Sequence, residues 1–378
     1  MTAPQPGTTS PSHSGSPGNS RFNNFDALRF LGAFLVFATH ATFIPTGSLW
    51  ADPLYALSNG QMTIGWVGVA LFFVLSGYLV TQSWARRPSP AAFLRARALR
   101  IYPALIAVVV GIFLVGGFLS RDAGYFVSTD AREYLLNILV PFSDNKLPGL
   151  FTNLPTTTVS DNFWTLRYEI GCYLLLVLMG ALRVWRRDVV LVLFGLVTLI
   201  FLLGGQAAQN GWFDLPRYFL AGALFALYRD RIPLRGGIAA LSLAVLVACT
   251  FLGGLKIAFS VFGAYLVLYL AFARWLPLQT AGRYGDFSYG LYLVGFFVQQ
   301  VVQRAWPNLG MLENFLISLP PALVVSVLLW HLVEKPALAL KSPRSRVPQP
   351  RPKPVPMRRE PRGAHILLVN PPRRESGD

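Results

Sequence analysis

The chain has 378 residues, of which 53% are hydrophobic and only 13% charged, and it carries a net charge of +16. That balance excludes an ordinary soluble domain and reads as an all-α integral membrane protein. Its two cysteines, Cys172 and Cys249, both fall within apolar runs, so neither a disulfide framework nor a metal cluster is expected.

Residues 1–20 are rich in Ser, Pro and Gly and lack both a basic start and an apolar core, so they read as a disordered leader and not a cleaved signal. A membrane domain is expected over residues 21–340. Within it, ten apolar runs approach the length that spans a bilayer: 25–44, 63–83, 101–119, 163–182, 188–204, 214–228, 237–253, 257–275, 285–304 and 312–333. From Lys341 to Asp378 the chain is basic and rich in Pro and Arg, too poor in apolar residues to fold alone.

Basic residues gather in cytoplasmic loops, which tests the orientation. With the N-terminus inside, the inner loops hold thirteen arginines, among them Arg97 and Arg100, and the outer loops hold five basic residues. Both termini are therefore expected in the cytoplasm. The positive charge is then an orientation signal and a contact with anionic lipid, and no nucleic-acid partner is expected.

Polar residues inside the spans carry the chemical argument, because ionisable groups are costly there. In "FDALRFLGAFLVFATHA" eleven positions separate Arg29 from His40, roughly 16 Å of helix rise and one shared face. Either Arg29 snorkels to the interface and His40 is an interhelical polar residue, or both serve a site. In "RARALRIYPAL", Arg97 and Arg100 lie one turn apart just before the third span, able to clamp a phosphate or simply to mark the inner side. The fourth span opens "FWTLRYE", placing Glu169 roughly 10 Å below the outer boundary and level with His40. A carboxylate at that height could hold the imidazole, or pair with an arginine for packing. Ser288, Tyr289 and Tyr292 could hydrogen-bond across helices, and His331 and Glu334 could cap and anchor the last span. No phosphate loop, dinucleotide fingerprint, nucleophile elbow or HExxH helix occurs, so any chemistry lies among intramembrane side chains.

Taken in order, these stretches, with "LFFVLSGYLV", "SYGLYL" and a closing "VEKP", resemble the integral-membrane acyltransferase-3 family over about residues 22–340. The resemblance implies a multi-pass enzyme of the cell inner (plasma) membrane. It implies transfer of an acyl group, most often acetyl, from acyl-CoA to a hydroxyl of a carbohydrate or glycolipid acceptor. Arg29 and His40 match the family's Arg and His of the first span, Arg97 and Arg100 its RxxR, and Glu169 the acid of its Trp-Ser-Leu-x-x-Glu motif. Two departures stand out: Thr165 replaces a common Ser, and Gly295 stands where many members carry a second His. The expected mechanism holds the nucleotide end of acyl-CoA on Arg97, Arg100 and Arg29 and uses His40 as base or acyl carrier, with Glu169 orienting it or the acceptor. A transporter or glycan flippase with a buried Arg/His/Glu relay is the alternative.

Overall fold

A computed structural model describes residues 24–139, 141, 146–205, 211–278 and 280–341. The expected leader and basic tail lie outside these residues. Among the described residues there is no strand. Helices fill all ten expected runs: α1 (Phe25–Thr46), α2 (Pro53–Leu57), α3 (Ile64–Arg86), α4 (Pro90–Leu119), α5 (Thr129–Tyr134), α6 (Trp164–Ala181), α7 (Arg187–Leu203), α8 (Leu215–Leu227), α9 (Gly236–Leu252), α10 (Leu255–Phe272), α11 (Ser288–Ala305) and α12 (Met311–Ala339). Among the described residues only α2 and α5 are additional α-helices, both short.

Five of these helices, α1, α3, α4, α10 and α12, are long and apolar enough to cross a membrane, while α8 and α9 are shorter apolar helices. α11 is 18 residues long but spends its buried face on Gln299, Gln300 and Gln303. Distribution of polarity is inverted relative to a soluble protein. Phe118, Leu203 and Leu252 are 77–86% exposed, whereas the three glutamines and Asn314 are at most 1% exposed. An outer surface of this kind suits hydrocarbon, and a polar interior satisfied by its own hydrogen bonds suits a bundle in lipid.

At the centre α3 packs against α1 and α8, and α11 packs against α1 and α12. Close approach explains the glycines at two crossings. A Cβ on Gly68 would stand 2.4 Å from the Gly32 carbonyl oxygen, and one on Gly77 would stand 1.9 Å from that of Phe219. Small residues let backbones meet, which is how helices associate where apolar burial gives no gain over lipid.

The contacts also set register. Arg29 meets Asp286, Phe37 meets Gly295 and His40 meets Phe296, so α1 and α11 run side by side in one direction. Gly32 meets Gly68 and Thr39 meets Gly65, so α3 runs against them, and Trp66–Trp164 with Ser76–Tyr173 sets α6 along α3. One end of the bundle thus carries Arg29 and Asp286, and the other carries the N-termini of α3 and α8. At that second end Asp214 and Arg217 form a fully buried pair, Lys256 adds a second contact to Asp214 at 3.0 Å, and the Arg217 guanidinium lies over the Phe201 ring.

One expectation about α4 changes. The helix begins at Pro90, capped by Ser89, and not near residue 101, so Arg97 and Arg100 are helical residues in its first three turns. Arginine is a good helix former, and the hydropathy that marked the span is blind to that.

Candidate functional site

Two helices bring the basic residues together. Arg29 projects from α1 and Arg97 and Arg100 from α4, and all three line both of two adjoining cavities. The outer one, a basin of about 340 Å³, is walled by these arginines together with Asp26, Asp286 and Lys341. The inner one, a pocket of about 90 Å³, runs between α3, α6 and α11 and presents Ser76, Glu169, Tyr173 and Tyr289 among Phe72, Phe73 and Leu166.

The two arginines of the RxxR pair have different surroundings. Arg100 is engaged: it donates to Asp286 at 2.5 Å and to Glu334 at 3.1 Å, and its guanidinium lies over the Tyr289 ring. Arg29 stands 3.7 Å from both Asp26 and Asp286. Arg97 has no carboxylate partner among the described residues. Its guanidinium rests over the rings of Phe93 and Tyr173, and its buried Nε has no acceptor. The expected twofold clamp is therefore one free guanidinium beside one already neutralised.

Electrostatics of the loops agree. Burial works against ionised Asp286, but the guanidiniums of Arg100 and Arg29 and two hydrogen bonds from Ser288 outweigh it, holding the carboxyl below its usual range. Lys341, at the basin's edge, is pushed the other way from neutrality of the site: partial burial first, then the charges of Arg97, Arg100 and Arg86, lower the pKa of its ammonium.

Glu169 is held from two sides. Tyr173 one turn along α6 donates to its Oε1, Ser76 of α3 donates to the same oxygen at 3.4 Å, and the Ser76 and Tyr173 hydroxyls are 2.9 Å apart. The pocket therefore gathers four of the five residues expected at the site: Arg29, Arg97, Arg100 and Glu169.

His40 is the exception. It does not line the pocket, and its ring packs edge-on against Phe296 with centroids 4.9 Å apart. No hydrogen bond joins it to Glu169, whose partners are Tyr173 and Ser76. The expected common height fails because α6 starts deep inside the bundle. The loop before it descends along α11: Gln300 donates to the carbonyls of Thr156 and Thr158 at 2.9 and 2.7 Å, and Asn162 donates to the backbone of Tyr292 and Leu293. Glu169 consequently lies level with the Leu71–Ser76 stretch of α3, while His40 lies near Gly65, roughly 10 Å further along. The neighbouring Thr39 fixes that part of α1 by donating to Asp52 at 2.5 Å and accepting from the Gly65 amide at 2.6 Å.

Sequence reasoning missed Ser76, Tyr173 and Asp286 as members of this arrangement. Asp286 and Glu334 carried a readable signal, since each is an acid at the end of an apolar run facing a surplus of arginine. Tyr292 does hydrogen-bond across helices, to the Thr165 hydroxyl and the Asn162 carbonyl. Gly295 brings α11 against α1, where a Cβ would stand 2.8 Å from the Phe37 ring. A larger residue there would displace that ring.

Comparison with known proteins places the chain. The family described as acyltransferase domain matches residues 22–332. The chain is 26% identical over 343 residues to the O-acetyl transferase of Shigella phage Sf6, covering 85% of this chain and 98% of that protein. It is 29% identical over 373 residues to nodulation protein 10 of Rhizobium leguminosarum bv. viciae, covering 88% and 97%. No solved structure matches the chain.

Proposed function

Because the chain belongs to acyltransferase family 3, we propose that it moves an acyl group, acetyl in the first instance, from acyl-CoA to a hydroxyl of a carbohydrate or glycolipid. The observation that carries the donor assignment is Arg97, an unpartnered guanidinium at the junction of an electropositive basin and an apolar pocket. A nucleotide phosphate satisfies that cation, and the uncharged arm of the donor fills the pocket behind it. Family membership favours transfer over the transport reading of the same charges.

In this reading the ten helices cross the cell inner membrane with both termini in the cytoplasm, and the donor enters from that side. Arg97 binds the phosphates, and Arg29 and Arg100 in the same wall add to the positive field around them. Glu169, fixed by Tyr173 and Ser76, accepts a hydrogen bond from an amide of the donor arm and sets its depth. His40 takes the proton of the acceptor hydroxyl as its oxygen adds to the thioester carbonyl. The C–S bond then breaks, and the imidazolium returns the proton to the departing thiolate.

Purified protein in lipid vesicles, given radiolabelled acetyl-CoA and a panel of bacterial glycans and glycolipids, tests this directly. Acetate appearing on a glycan hydroxyl, and absent with His40→Ala, is the expected result. Transfer that persists undiminished in that variant would remove His40 from the mechanism, and no transfer to any acceptor would remove the reading.

A further inference from the structure

The inner pocket extends from the arginines toward Tyr292. Its walls follow one order along three helices: Ser76, Phe72, Val69 on α3; Tyr173, Glu169, Thr165 on α6; and Ser288, Tyr289, Tyr292 on α11. The arginines stand at the first end, and at the last the rings of Phe72 and Tyr292 meet edge to face with centroids 5.9 Å apart. Phe296, whose ring carries His40, comes one turn beyond Tyr292 on α11. Along α11 about 6 Å of helix rise separates Tyr292 from Phe296, and along α1 about 12 Å separates Gly32, against which Phe72 lies, from His40.

The Phe72 and Tyr292 rings are held unequally. The Tyr292 hydroxyl is bonded to Thr165 and to the Asn162 carbonyl, and the Asn162 amide returns to the Tyr292 backbone, so that ring is fixed. Phe72 is half-buried, has no hydrogen-bonding group, and lies against α1 at Gly32, where a Cβ would stand 3.2 Å from the ring edge, so its ring is held by packing alone.

The geometry points to Phe72 as a specificity-determining residue: turning against the fixed ring of Tyr292, it opens the way from the pocket to His40 and limits which acyl chains pass. This rests on the donor site and the His40 role proposed above. A two-carbon acyl group passes with a small rotation, whereas each further methylene must fit the space that the ring vacates. One methylene in an apolar pocket is worth about 10- to 200-fold in discrimination.

Acetyl-, propanoyl- and butanoyl-CoA competing for the full chain in vesicles read this out. Phe72→Ala is expected to raise the butanoyl-to-acetyl transfer ratio at least about tenfold, and Phe72→Leu to leave it within about threefold. Phe72→Val supplies an intermediate variant should the alanine form fail to fold, and an unchanged ratio in the smallest folded variant overturns the assignment. A second measurement needs no acyl transfer at all. In a Cys172→Ala, Cys249→Ala background, His40→Cys is treated with a charged methanethiosulfonate in sealed vesicles of either orientation. Shortening Phe72 should speed modification from the arginine face alone; equal rates with and without the change, or a gain from both faces, overturns the partition. If even the unaltered chain transfers nothing while labelling behaves as stated, it is the acyltransfer reading that fails.

Discussion

Arg97 and Arg100 sit one turn apart and share a charge, yet they should respond to substitution in different ways. Removing Arg97 takes away a guanidinium with no internal carboxylate to orphan. Arg97→Ala is therefore expected to raise KM for acyl-CoA about 10- to 100-fold, the worth of a charged hydrogen bond, with kcat and thermal stability nearly unchanged. Removing Arg100 strands the 2%-exposed Glu334 and leaves Asp286 with Arg29 as its one remaining cation among the described residues. Arg100→Ala should cost about 2–3 kcal/mol, discounted for its partial exposure, and show as a lowered Tm in detergent before any kinetic effect. Equal KM changes without a Tm difference would mean that both arginines hold ligand. His40 supplies the complementary case: His40→Ala should lower kcat by about 10² to 10⁴ while leaving KM for the donor alone, as measured by initial rates.

At the scale of elements, Asp286 ties three helices by reaching Arg100 of α4 and Arg29 of α1 and accepting from the first turn of α11. Its folded pKa is depressed, so its contribution is complete above the usual carboxyl range and is lost as pH falls through the lower folded value. Thermal midpoints taken between about pH 7 and pH 3 should therefore hold until below about pH 4 and then drop. Asp286→Asn, about 1–3 kcal/mol less stable at neutral pH, should lose that acid step. A step of equal size in the asparagine variant would assign it to another carboxylate. The positions of the helices were legible because a long apolar run in lipid has no backbone option but the helix. The start of α4 was not, since hydropathy stops at "RARALR" while helix propensity continues. Nor was the depth of α6, because it is fixed by the amides of Gln300 and Asn162 reaching carbonyls far off in sequence. Arg29, Arg97, Arg100 and Glu169 could be found because each is an expensive charge in an apolar setting. Ser76 and Tyr173 leave no such mark, being cheap to bury and ordinary in a span.

Across the whole molecule, charge is concentrated at two ends with opposite character. At the Arg29 end the ion pairs border an open basin, and at the other Asp214 and Arg217 are fully buried, Arg217 against Phe201, while the partly exposed Lys256 lies over Trp66. Deuterium uptake in vesicles should accordingly be at least about tenfold slower at the first amides of α8 than over residues 282–288. Uniform uptake would contradict that contrast. The Asp214–Arg217–Lys256 cluster joins α8 to the start of α10 through one carboxylate, so sliding either helix separates Asp214 from a cation. Relative motion of the helices is therefore expected to be smaller at this end than at the arginine end, where the ion pairs border an open basin and can exchange for water.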